Sequence, residues 1–259
     1  MTQDLFRENA YLKECTATVA AVGAHGITLD RTVFYPLGGG QAGDAGLLVL
    51  GDGAEIAIAD TRKGKDEEGR ATSEIVHVPA PGQDALLARL EAGATVTARV
   101  DWDRRHKLMR FHTTTHLLCH LVPQLVNGCS ITPEYARLDF NMTDPLDKEE
   151  LTAGIARLVT AGLPVQVGSI TDEELDANPA LVKSMSVQPP RGTGRVRTIR
   201  IGGKEHIDFQ PCGGTHVANT AEIGPVVVTK IEKKSATTRR VVLGFASRNF
   251  PGNAELHPS

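Results

Sequence analysis

The 259-residue sequence has only four cysteines, Cys15, Cys119, Cys129 and Cys212, and they are scattered. There is no dense cysteine framework, and the charged N-terminus, MTQDLFRENAYLKEC, lacks the apolar core of a signal peptide. Without an export signal, reduced thiols or a metal ligand are expected rather than disulfides, and the cytoplasm is the expected compartment. No apolar run approaches the roughly eighteen residues of a membrane-spanning helix. Formal net charge is −3, so no overall basic field draws the chain onto nucleic acid, and any such contact has to use local patches. No internal repeat or low-complexity tract is found. The hydrophobic fraction is 41%, enough for a packed core. The length suits one large domain or two ordinary ones.

From about residue 10 to 101 the chain reads as β: CTATVAAVG, GITLDRTVFYP, AGLLVLGDGAEIAIAD, SEIVHVP and ATVTARVDW are short apolar alternations separated by turns. Asp52-Gly53 is a hairpin signal, and several strands at this spacing suggest a small barrel. QDALLARLEA (83–92) is a candidate helix within it. From Arg104 to Val126 apolar residues recur at helical spacing (Leu108, Phe111, Leu118, Leu121, Val122, Leu125), with Pro123 placed to kink or end the helix. The expected division is 1–103, 104–248 and a tail, 249–259. In the second part ARLDFNM reads as a strand, Asp147 and Glu150 as a capping box before LTAGIARLVTA, VQVGSI as a strand, and Thr171 with Glu174 as a second capping box. Residues 195–209 and 223–245 read as strands.

The chemistry centres on two i, i+4 pairs, His112 and His116 in HTTTH and Cys212 and His216 in CGGTH. Imidazole nitrogen and thiolate sulfur suit Zn²⁺ better than Ca²⁺ or Mg²⁺. On a helix His112 and His116 share a face and can point at one ion, although two histidines on a core helix need mean no more than packing. A zinc peptidase of the HExxH kind needs a glutamate after the first histidine, and here that position is Thr113. Gly213 and Gly214 let the second motif turn tightly and bring bare backbone N–H groups near whatever a metal holds. A plain turn with a buried thiol is the alternative. Four protein donors suit a closed structural ion, whereas a catalytic ion needs a further position or a substrate beside it.

The run GGGQAGDAG contains a literal G-x-G-x-x-G at Gly38, Gly40 and Gly43, but strand-like residues come after it rather than a helix, which excludes a dinucleotide fingerprint and leaves a wide turn. Basic residues cluster at Arg104, Arg105, Lys107 and Arg110; at Arg191, Arg195, Arg197 and Arg200; and at Lys230, Lys233, Lys234, Arg239 and Arg240. Each reads as a solvated face or as a set of phosphate contacts.

HTTTHLL, RLDF, QPCGGTHV and AEIG, in that order, resemble the editing domain of alanyl-tRNA synthetase, and FYPLGGGQAGDAG resembles the glycine-rich barrel segment preceding it. The resemblance covers about residues 15 to 245 and includes no ATP-binding aminoacylation domain, so it points to free-standing alanyl-tRNA editing proteins of the AlaX type, medium-length form. It implies an α+β protein in which a small, translation-factor-like β-barrel precedes an α/β two-layer editing domain. It implies one Zn²⁺ on His112, His116, Cys212 and His216. The implied activity is hydrolysis of the ester joining serine, or glycine, to the 3′ end of tRNA(Ala). No membrane or further protein partner is implied. Gly38, Gly39, Gly40, Gln41, Asn127, Gly213 and Gly214 are then expected to border the substrate, with Thr115 and Asn127 as candidate catalytic residues. Asn127 stands where a Thr-Gly-Gly-like stretch is expected, which leaves the serine preference open. A threonyl-tRNA-type editing domain, which shares HxxxH, is the other family reading.

Overall fold

A computed structural model describes residues 2–189 and 194–246. Arg191 and the expected tail, 249–259, lie outside the described residues. The chain forms two compact units, residues 1–112 with 212–217 and residues 113–211 with 218–259.

The first unit is mostly β. Its strands are β1 (Gln3–Asp4), β2 (Glu14–Gly23), β3 (Gly26–Leu29), β4 (Arg31–Thr32), β5 (Gly46–Leu50), β6 (Glu55–Lys65), β7 (Ala71–Pro79) and β8 (Thr95–Val100), with single-turn helices α1 (Leu5–Glu8) and α2 (Asp84–Leu87). β2, β3, β7, β6, β5 and β8 close into a barrel. Alternation is what allows closure: along β8 the even positions Val96, Ala98 and Val100 are buried while Thr95 and Arg99 face out. Val19, Leu29, Phe34, Leu48 and Ile56 fill the interior. The Asp52-Gly53 hairpin joins β5 to β6, with Gly53 at φ +86° and Leu50 N–H donating to Ala54 O at 2.8 Å. The helix expected over 83–92 is shorter, a single turn whose Leu86 and Leu87 pack on the barrel core.

Helix α3 (Trp102–Leu121) starts where Asp101 accepts a hydrogen bond from Arg104 N–H at 3.1 Å. It ends two residues before Pro123, not at Val126. The apolar spacing runs on to Leu125, but proline cannot continue the ladder, and VNGCSI becomes a strand instead.

In the second unit the elements after α3 are β9 (Val126–Ile131), β10 (Ala136–Asn141), α4 (Lys148–Thr160), β11 (Val165–Thr171), α5 (Asp172–Ala177), β12 (Arg195–Ile201), β13 (Asp208–Pro211), β14 (Val226–Ser235) and β15 (Thr238–Phe245). They give two antiparallel sheets, in the orders β14-β15-β10-β9 and β11-β12-β13. Asp147 caps α4 by accepting from Glu150 N–H at 2.8 Å, and Thr171 and Glu174 complete a reciprocal capping box on α5. No described helix is long and apolar enough to cross a membrane.

Candidate metal centre

His112 and His116 sit one turn apart on α3, in a stretch where Phe111 through Cys119 are all buried. Cys212 and His216 lie on the loop after β13. One donor atom from each of these four residues lies within 4.8 Å of all the others. Cys212 Sγ is 3.4 Å from His112 Nε2 and 3.3 Å from His216 Nε2. Three imidazoles and one thiol gathered so closely are a donor set that could hold one metal ion.

The packing around these donors fixes their orientation. Gly38 to Gln41 is a tight turn in which Gly38 and Gln41 exchange backbone hydrogen bonds of 3.1 and 3.0 Å. Gly39 and Gly40 have φ of +59° and +86°, a region that favours glycine. Gln41 is fully buried. Its Oε1 accepts from His112 Nδ1 at 2.7 Å and from Thr215 N–H at 3.1 Å, and its Nε2 donates to Thr215 Oγ1 at 2.9 Å. A carboxamide therefore holds the His112 ring with Nε2 left as the donor atom. Gly214 N–H donates to Cys212 Sγ at 3.4 Å.

Within the second unit, His116 Nδ1 donates to Asp208 Oδ2 at 2.7 Å. Gln210 Nε2 donates to the same oxygen at 2.9 Å, and Lys183 Nζ donates to Oδ1. Burial alone would raise the Asp208 carboxyl, but the hydrogen bonds and charges of His116 and Lys183 outweigh it and hold the group at about 2. The buried Cys119 thiol nearby is pushed up to about 12, chiefly by burial, and is a packing residue rather than a nucleophile.

The remaining expected residues have these places. Thr115 is buried on α3. Asn127 lies on β9 and donates to Thr238 Oγ1 at 3.3 Å. Gly213 faces Arg7 Nη1, 3.4 Å from where a Cβ would lie. The glycine-rich run leads into β5, not a helix, and a Cβ on Gly43 or Gly46 would run into backbone of β6 or β8.

The basic clusters need correction. Arg105 is no phosphate contact: it is fully buried, forks onto Asp44 with Nε at 3.0 and 2.9 Å from the two oxygens, and donates to Ala10 O and Val33 O. Arg104 is spent on Gly43 O, Arg239 on backbone carbonyls and Arg240 on Asp139, whereas Arg195 is exposed and donates to Ser169 Oγ. Of the third cluster, Lys233 and Lys234 are exposed, and Lys230 pairs with Glu232.

Two family models match. "Threonyl and Alanyl tRNA synthetase second additional domain" covers residues 196–242, and "tRNA synthetases class II (A)" covers residues 5–104. Alanyl-tRNA editing protein AlaX-M of Saccharolobus solfataricus is 32% identical over 245 residues, spanning 93% of this chain and 98% of that protein. The AlaX-M protein of Methanosarcina barkeri is 33% identical over 254 residues, with the same coverage. Alanine--tRNA ligase of Hyperthermus butylicus is 36% identical over 242 residues, but the match spans only 24% of that enzyme.

The chain belongs to the AlaX-M family of alanyl-tRNA editing proteins. In this AlaX-M chain the sequence alone did not single out Asp208 or Lys183. Gln210 stood inside QPCGGTHV unremarked. The one available signal was the i, i+2 placement of Asp208 and Gln210 on a short strand just ahead of Cys212, which puts both on one face.

Proposed function

We propose that this protein is a trans-editing hydrolase that deacylates mischarged tRNA(Ala), Ser-tRNA(Ala) first and Gly-tRNA(Ala) second, by cleaving the aminoacyl ester at the tRNA 3′ end. The observation that carries this reading is the convergence of four donors from HTTTH and CGGTH within 4.8 Å, in a chain whose relatives are named alanyl-tRNA editing proteins. In this reading residues 1–103 are the barrel domain, with a translation-factor-like kinship, and 104–248 the two-layer editing domain. The protein works in the cytoplasm.

His112, His116, Cys212 and His216 would hold one Zn²⁺, which when bound supplies a Lewis acid able to polarise an ester carbonyl or to lower the pKa of water. The chain's own groups do the rest. Gln41 and Asp208 fix the rings of His112 and His116. Gly38, Gly39 and Gly40 offer a turn without side chains against which the aminoacyl end is placed, backed by the buried Gln41, and Gly213 borders it from the loop, with Gly214 packed against the His112 ring behind it. Thr115 and Asn127 are the candidates for a direct part in the chemistry. An aminoacyl ester is a reactive acyl donor, so orientation and an ordered water supply much of the needed acceleration. Editing answers a real limit, because a pocket for alanine cannot reject a slightly smaller or larger side chain strongly by binding alone.

The decisive measurement is deacylation of Ser-, Gly- and Ala-tRNA(Ala) side by side, with and without a chelator. Release of serine, with Ala-tRNA(Ala) spared and activity lost on chelation, is expected. Metal-loaded protein that spares all three sinks the reading. Four protein donors also suit a tRNA-binding module with a structural zinc. Cys212→Ala separates the two, since unfolding favours the structural ion and lost activity in a folded chain favours editing. A threonyl-tRNA-type editor would instead act on mischarged tRNA(Thr).

A further inference from the structure

We infer that Asp208 is a positioning residue that sets the tautomer and donor strength of His116, and that Lys183 is the counter-charge that lets a buried carboxylate stand there. The inference rests on the zinc reading above and deepens it.

An imidazole can coordinate through only one nitrogen while the other carries its proton. Asp208 is an anionic acceptor 2.7 Å from His116 Nδ1, so Nδ1 holds the proton and Nε2 is the donor atom. The Asp208 side chain is 0% exposed. Both its oxygens are engaged: Oδ1 by the Lys183 ammonium, Oδ2 by His116 and by Gln210. A carboxylate so saturated does not act as a ligand itself; it acts through His116.

Lys183 is held in place by its own carbonyl and by the backbone two residues after it. Val126 N–H of β9 donates to Lys183 O at 2.8 Å, and Met185 N–H donates back to Val126 O at 2.9 Å. The ammonium is therefore delivered by a segment pinned to a strand. A buried carboxylate without such a partner would be strongly penalised.

His112 has a different neighbour. Its Nδ1 partner is Gln41, a neutral amide. A carboxylate partner makes an imidazole a stronger donor than an amide does, and loss of such a partner typically weakens metal binding about 10- to 100-fold. The two helix histidines are thus unequal, and His116 is the stronger donor.

The test uses the full chain, with zinc affinity measured by chelator competition and cobalt(II) absorption reporting coordination geometry. Asp208→Asn should weaken zinc about 10- to 100-fold while keeping a tetrahedral cobalt spectrum, because all four ligands remain. Lys183→Met should weaken it less, because His116 keeps its carboxylate. Should Asp208→Asn not fold, imidazole ¹⁵N–¹H spectra of the wild-type zinc protein decide: a proton on Nδ1 of His116 is expected. A proton on Nε2, or an Asp208→Asn affinity within twofold of wild type, overturns the inference alone. Wild-type protein that takes up no zinc overturns the zinc reading with it.

Discussion

At position 214 no side chain fits. A Cβ there would overlap Cε1 and Nδ1 of the His112 ring and lie 2.9 Å from Gln41 Oε1, whereas at 213 the nearest atom is the flexible end of Arg7. Gly214→Ala should therefore displace His112 and lower the metal retained per chain after gel filtration, at a stability cost of about 1–3 kcal/mol. Gly213→Ala should retain metal at the wild-type level; equal loss in both variants would contradict the packing argument. The donors themselves were legible in the sequence, because i, i+4 spacing of His and Cys carries its own chemistry. Their supporting groups were less so. Gln41 was legible as part of a glycine-rich run, but its hydrogen bonds to His112 and Thr215 depend on folding across many residues. Asp208 sits in HIDFQP, where nothing local distinguishes a buried acid from a turn residue.

Among elements, α3 is where pattern and structure differ most. Its core-facing residues were readable, but its end was not: apolar spacing continues through Leu125 while Pro123 stops the ladder, and the chain from Val126 onward joins a sheet as β9. Its basic face was misleading for a related reason. Charge in a sequence is not exposure, and Arg105 points into the first unit to meet Asp44. That pair is fully buried, and Asp44 also accepts from Tyr35 N–H at 2.6 Å. Arg105→Met would leave the carboxylate unpaired and should cost about 3–5 kcal/mol. Urea unfolding followed by fluorescence of Trp102, the only tryptophan, measures this in the unit concerned; a loss below about 1 kcal/mol would show that water reaches the carboxylate. Among the barrel strands β3 and β8 were the easiest to read, because period-two alternation survives along them, whereas β6 loses it at the register shift between Ile58 and Asp60.

At the scale of the whole molecule, stability should depend on pH through His77. It is fully buried, with Nδ1 donating to Ile27 O at 3.0 Å and Nε2 2.8 Å from Thr32 Oγ1. Burial pulls it down from 6.5 to about 4. The unfolded chain therefore binds a proton that the folded one refuses. Stability is fully present above about pH 6.5, falls as pH drops toward 4, and is flat with respect to this group below that. The loss is on the order of 3 kcal/mol. The Asp208 carboxyl, at about 2, titrates below this window. Unfolding free energy measured from pH 7 to 4 should slope in the wild type and flatten in His77→Gln; parallel slopes would remove His77 as the cause.

The first unit takes its last six residues, 212–217, from beyond residues 113–211. During synthesis the barrel can close once β8 has emerged, since β8 pairs with β2 and β5 and all six barrel strands lie ahead of residue 101. Gln41, buried with its carboxamide satisfied largely by Thr215, cannot be satisfied until that loop has left the ribosome. A chain stopped short of Cys212 would carry half the donors and a Gln41 amide whose Nε2 lacks its Thr215 partner. On the proposed metal reading, capture is a late event in the life of each chain, because the complete four-donor site needs the loop that carries Cys212 and His216.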